Sequence, residues 1–287
     1  MPLSALLLLV LSALLHAAYY GFYKQSADKQ VFAWWFLLVA VILYSPILVL
    51  NRPVIPGQGW LCLLLSGLTD VVYFVIVGKA FEEGDLSVVY PLARGAPPLL
   101  ITLGGALFLG ERLTLWGLMG ILLVTVGLYL VNLRSRSDLL SPLRSLKERP
   151  SQLALLASVS VSTYSVIDKV GLRYLDPLAY SYLMLLVTLL AFTPYILLTE
   201  HRAYLVAEWR VSKPGIGLAG VFVLLSYFLA LAALRLSYVS YVGSVRSVNV
   251  IFGALLGALL LKEPYGAIRV LASSLVFGGV LLIGVAG

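Results

Sequence analysis

Charge is scarce in this chain: of 287 residues only 11% are Asp, Glu, Lys or Arg, against about 25% in ordinary soluble domains. A domain of this length without a solvated charged surface is not a soluble globular protein. Cysteine occurs once, at Cys62, so neither a disulfide framework nor a cysteine-based metal site can form within one chain. Histidine occurs twice, at His16 and His201, too far apart in sequence to be a metal-spaced pair. The HExxH, Walker and GxSxG patterns are missing, and with them the common zinc-hydrolase, phosphate-loop and serine-hydrolase chemistries. No enzyme activity, cofactor or metal is expected. The net charge of +7 comes without any aromatic-interleaved basic patch, so it points to no nucleic-acid partner.

What is present is apolar: 61% of residues are hydrophobic and the mean hydropathy is +1.01. A bilayer core needs about 20 residues of helix to cross it, and ten stretches fit, at 3–23, 31–50, 59–81, 86–109, 113–133, 151–171, 177–198, 214–235, 238–261 and 265–286. The chain reads as an all-α polytopic membrane protein. No Lys or Arg precedes the first apolar run and its aromatic character continues through Tyr23, so it reads as a first helix rather than a cleaved leader. Loops are short apart from 134–150, RSRSDLLSPLRSLKERP, a basic linker between two units, 1–133 and 151–287.

The stretch Leu86 to Glu111 organises the chain. Arg94 lies ~12 Å inside its apolar span, counting 1.5 Å per residue from Leu86. An arginine at the bilayer centre costs roughly 2.5–3.5 kcal/mol or more, and such residues face polar cavities or snorkel to the interface. Pro97 and Pro98 lack N–H donors and predict a break in this helix. The element returns at an offset of 152: Arg94 meets Arg246, Glu111 meets Glu263, and Gly105, Ala106, Leu107 and Leu109 meet Gly257, Ala258, Leu259 and Leu261. Tyr73-Phe74 reappears as Tyr227-Phe228, and Tyr19 to Lys24 as Tyr164 to Lys169. Five helices per unit is an odd number, so the second unit lies inverted relative to the first, a plan that places a substrate site near the midplane. Lys and Arg are concentrated on the side of the linker, which makes that side cytoplasmic.

Arg94 and Arg246 then approach the midplane from opposite faces, and two guanidiniums in one cavity make a fork for a carboxylate or phosphate. The alternative is that each buttresses a helix end. Tyr90 and Asn249 share a helix face with their arginines. On helix 1, Ser12, His16, Tyr19, Tyr20 and Tyr23 form a polar-aromatic stripe, and Tyr164 and Tyr227 extend that character into the second unit. Asp70 near the centre of helix 3 and His16 are candidates for carrying a coupling proton. Ser160, Tyr164 and Asp168 form the matching stripe on helix 6, with Asp168 and Lys169 near the helix end, where facing headgroups is the alternative. Trp34, Trp35, Tyr180 and Tyr182 read as interface anchors. Glu111 and Glu263 are placed to complement the dipole of the helix that follows each in the chain.

The paired elements Tyr90-Pro91-Leu92 through Gly110-Glu111-Arg112 and Tyr241 through Lys262-Glu263-Pro264 resemble the ten-helix EamA-type proteins of the drug/metabolite transporter superfamily. The resemblance covers almost the whole chain. It implies two inverted five-helix repeats around a central cavity and alternating access for small metabolites. The related four-helix small multidrug transporters carry an essential glutamate in helix 1, where this chain has His16. That departure and the two arginines favour an anionic or zwitterionic metabolite, such as an amino acid, organic phosphate or phosphonate. Efflux of cationic or aromatic toxicants, and a non-transporting scaffold or lipid-handling role, are the alternatives. The expected partners are a small-molecule substrate, membrane lipid and protons, with the protein a monomer or homodimer. Short loops and the lack of Asn-x-Ser/Thr sequons suggest a prokaryotic inner membrane.

Overall fold

The computed structural model describes residues 1–83, 86–131, 140, 144–252 and 267–286. The described elements are α1 (Leu3–Gln25), α2 (Lys29–Leu43), α3 (Pro46–Asn51), α4 (Gly57–Glu83), α5 (Leu86–Gly95), α6 (Pro97–Leu109) and α7 (Leu115–Leu130) in the first half. The second half holds α8 (Arg149–Gly171), α9 (Pro177–Leu198), α10 (Leu205–Leu236), α11 (Val239–Arg246) and α12 (Ala267–Ala286). No strand occurs among the described residues. Most of the expected linker, 134–139 and 141–143, lies outside them, as do Gly257, Ala258, Leu259, Leu261, Lys262, Glu263 and Pro264.

The outward faces are apolar, as lipid requires. On α1, Leu3, Leu7, Leu11 and Leu14 are exposed while Ala5, Leu9, Ser12 and Ala13 are buried, so one stripe of leucines faces outward and the side with Ser12 and the small residues faces inward. Seven helices among the described residues are long and apolar enough to cross a membrane, and α2 and α7 are shorter apolar helices.

Three expected spans, 31–50, 214–235 and 238–261, differ in detail, and a fourth, 86–109, breaks where its prolines place the break. The span 31–50 is divided at Tyr44-Ser45, where Pro46 opens α3. The span 86–109 is divided at Ala96, with Pro97 and Pro98 in the first turn of α6; proline is tolerated there because those N–H groups have no helical partner anyway. The helix expected to begin at 214 begins nine residues earlier as α10, and Pro214 sits inside it. The second half also breaks beside its arginine, at Ser247-Val248, where the N–H groups of both residues bond back three residues to Ser244 and Val245. No proline announces that break. The hydroxyls of Ser244 and Ser247 bond back to the carbonyls of Ser240 and Gly243, competing with the helical ladder.

The packing repeats under a two-fold exchange of halves. Helix α1 lies on α10 as α8 lies on α4; α2 lies on α10 as α9 lies on α4; α11 meets α1 as α5 meets α8. Two pairs are their own counterparts, α2 with α9 and α7 with α12. The last is the tightest: a Cβ on Gly120 would lie 2.7 Å from the Gly279 carbonyl, and one on Gly127 would lie 2.7 Å from that of Ala272. Only glycine admits that approach. The result is two interlocked halves around a central space, with α7 and α12 packed together away from it.

Candidate functional site

Helices α1, α2, α4, α5, α6, α8, α9, α10 and α11 line a cavity holding about 1140 Å³ of empty space, its open mouth included. Arg94, Pro97, Arg246, Asn249, His16, Tyr19, Tyr20, Tyr164, Tyr227 and Asp70 all face it. Pro98 is buried and does not line the cavity. The side chain of Tyr90 lies outside the described residues.

Each arginine is delivered by the end of a helix that breaks just after it, and each guanidinium sits over a tyrosine face. The Arg94 Cζ is 5.3 Å from the Tyr20 ring centre and the Arg246 Cζ 5.5 Å from that of Tyr227. Such contacts hold a cation against a low-dielectric wall without neutralising it. Arg246 has no ion-pair partner among the described residues. His16 and Asn249 meet at 2.9 Å between Nδ1 and Nδ2. The Asn249 Oδ1 is buried with no hydrogen-bond partner in the structure. Ser12 leaves the helix-1 stripe: its hydroxyl donates to the Ser226 carbonyl at 2.7 Å and accepts no place in the cavity. Phe36 and Phe74 form an apolar wall, ring centres 6.3 Å apart, and Phe74 stacks on the fully buried Phe192 behind it at 5.8 Å.

The carboxylates are arranged differently from the sequence expectation. Asp70 is 8% exposed on α4 and takes one side-chain hydrogen bond, from Thr188 at 3.4 Å. Asp168 is not at headgroup depth. It is 2% exposed and caged by hydroxyls: Ser66 at 2.5 Å and Tyr180 at 3.0 Å on Oδ1, and Tyr227 at 2.5 Å on Oδ2. The stripe Ser160, Tyr164 and Asp168 carried the signal, because the repeat puts Asp168 where Tyr23, a cavity residue, stands in the first half. Tyr180 is likewise no interface anchor; it is fully buried against Asp168. Tyr182 is buried and donates to the Val41 carbonyl at 3.2 Å. The indole N–H groups of Trp34 and Trp35 donate inward, to Thr193 Oγ1 and the Leu205 carbonyl, both at 2.9 Å.

Two charged residues secure the α10–α11 turn. Lys169 Nζ donates to the carbonyls of Leu234 at 2.6 Å and Ser237 at 2.8 Å, capping the C-terminal end of α10. Glu111 does not serve the helix that follows it; Thr114 caps α7, accepting from the Gly117 N–H at 3.1 Å. The Glu111 carboxylate instead accepts from Val239 N at 2.6 Å, Ser240 N at 3.2 Å and Ser240 Oγ at 2.5 Å. An anion at that helix start is stabilised by the dipole and the unpaired N–H groups. Its repeat partner Glu263 lies outside the described residues. Among the described residues no set of His, Cys, Asp or Glu is grouped to hold a metal ion.

A closed ring of helices around a central polar cavity, built twice, is a carrier's architecture. Comparison with known proteins agrees. A solved structure, described only as a crystal structure of a protein, superposes with a TM-score of 0.72 over 99% of this chain and 98% of its own, at 18% identity. That likeness shows the fold alone. A curated relative from a Sinorhizobium species, named as an uncharacterized transporter in the cobO 3′ region, is 35% identical over 77 residues, 27% of this chain. The match spans about half of that relative, 54% of its length. The model of the EamA-like transporter family matches residues 3–133 and again 150–285. With apolar helices throughout and that family's pattern matched in both halves, this multi-pass integral membrane protein belongs to the EamA-like transporter family.

Proposed function

We propose that this transporter moves a small anionic or zwitterionic metabolite, of amino-acid, organic-phosphate or phosphonate type, by alternating access across a prokaryotic plasma membrane. The observation that carries this reading is the convergence of Arg94 and Arg246 on one cavity with aromatic walls. A guanidinium in a desolvated site attracts a carboxylate or phosphate more strongly than it could in water. The Asp70 carboxyl supplies an acceptor for a substrate ammonium or hydroxyl, and Asn249 lines the same cavity. Tyr19 and Tyr164 line the same wall, with Tyr20 and Tyr227 seating the guanidiniums. Cationic cargo is disfavoured because the faces of Tyr20 and Tyr227 already carry guanidiniums, and two fixed cations repel a third. The linker side is assigned to the cytoplasm from its lysines and arginines. The protein is taken to work as a monomer or homodimer surrounded by lipid.

The test is a thermal-shift screen of the detergent-purified protein against organic acids, zwitterions and organic cations. An acid at 100 times its Kd adds about 2.7 kcal/mol to stability. Stabilisation by acids or zwitterions that disappears in Arg94→Ala and Arg246→Ala supports the reading. Stabilisation by cations alone, equal in the variants, refutes it.

A further inference from the structure

The most deeply buried carboxyl group among the described residues is Asp168, which stands behind the cavity lining, and the anion-binding reading gives it no task. It lies between α4, α8, α9 and α10. Its titratable and charged neighbours are Cys62 and Asp70 from α4, Tyr164 and Lys169 from its own helix, Tyr180 from α9, Tyr227 from α10 and Arg246 from α11. Lys169 is committed to the α10 end, with Nζ on the Leu234 and Ser237 carbonyls. All three hydroxyls in the cage donate to Asp168. One of them, Tyr227, also lines the cavity and carries the Arg246 guanidinium on its ring face. Tyr227 is thus shared between a buried carboxyl group and a substrate-facing cation.

We propose that Asp168 is the proton-binding group of this carrier, with Tyr227 connecting it to the cavity and Arg246 reporting on the occupancy of the substrate site. The proposal rests on the anion-binding reading of Arg246. With the cavity empty, Arg246 supplies positive charge that favours the ionised carboxylate. An anion on Arg246 cancels that charge, so the carboxylate takes up a proton. The transfer balances through one hydroxyl: cavity water gives a proton to the Tyr227 oxygen while the tyrosine's own proton crosses to Asp168 Oδ2. Proton and anion therefore favour each other's binding, by the reciprocity of linked equilibria. A carrier with this coupling moves acid and proton in the same direction. His16, held by Asn249, and Asp70, open to the cavity, are left as substrate-contact groups.

The test needs no identified cargo, because neutralising Arg246 by mutation imitates the bound anion. The purified protein in lipid vesicles is titrated from alkaline to acid pH in sodium-free buffer while the carboxylic-acid C=O stretch is followed by infrared difference spectroscopy. A band lost in Asp168→Asn and retained in Asp70→Asn is expected. In Arg246→Gln the band should develop at a pH about one unit higher, the order expected for removing one charge at this range. Tyr227→Phe, which keeps the ring under Arg246 but removes one donor from the carboxylate, should move it the same way and serves if Arg246→Gln does not fold. A band untouched by Asp168→Asn, a midpoint equal to wild type in both other variants, or loss of the band on adding sodium at constant pH overturns the proposal. If the titration behaves as expected yet no acid stabilises the protein, the proton site stands and the anionic cargo falls. If acids bind through Arg246 but Asp168 does not titrate, the cargo stands and the proton site falls.

Discussion

Replacing Glu111 with glutamine should destabilise the protein far more than its loop position suggests. The carboxylate is 9% exposed and accepts three hydrogen bonds, two from the first N–H groups of α11 and one from the Ser240 hydroxyl. Glutamine keeps the shape and one acceptor oxygen, but sets an NH₂ group against a backbone N–H that has no other partner. Losing one charge-assisted bond costs about 1.5–3 kcal/mol, and leaving a buried donor unmet adds roughly 1–3. A fall of about 3 kcal/mol corresponds to a Tm roughly 6 °C lower for a chain of this size. The assay is thermal unfolding of the purified protein in one detergent. The control is Glu83→Gln, which removes a solvent-facing pair with Arg149 at 3.2 Å and should cost less than about 1 kcal/mol. If Glu111→Gln melts with the control, the carboxylate is solvated rather than bonded to α11, and its role in joining the two halves is refuted.

Glycine substitutions should split by site. A Cβ at Gly120 meets the Gly279 carbonyl, whereas one at Gly278 meets nothing within 4 Å. In thermal melts Gly120→Ala should therefore lose about 1–3 kcal/mol by overpacking, while Gly278→Ala should gain up to about 1 kcal/mol from helix propensity; equal effects would refute the close approach of α7 and α12. His201 Nδ1 lies 2.6 Å from Asp28 Oδ2, with Tyr195 Oη 3.4 Å from its Nε2. His201→Ala should cost about 1–3 kcal/mol in the same melts without unwinding α2, because Asp28 caps that helix through its other oxygen. Circular dichroism of the variant checks the second half of that statement.

Much of this molecule is written locally. Length of apolar runs, scarcity of charge and the offset between Arg94 and Arg246 are properties of neighbouring residues and of self-similarity. They determine an all-helical membrane chain, built twice, with a cation in each half and a proline-marked break after Arg94. The family resemblance follows from the same residues. The break after Arg246 has no such marker, since it is made by serine hydroxyls competing for carbonyls rather than by a missing N–H. Partners across the two halves were also illegible. Asp168 reads as a helix-end residue until α4, α9 and α10 close around it, because the hydroxyls from Ser66 and Tyr227 come from 102 and 59 positions away. Glu111 reads as a cap for the helix after it until the second half brings Val239, 128 positions on, within 2.6 Å. Sequence periodicity records which face of a helix is apolar or polar. Which polar groups meet on the inner faces is decided by the interlocking of two inverted halves, and a buried carboxylate accepts the donors that this packing brings to it.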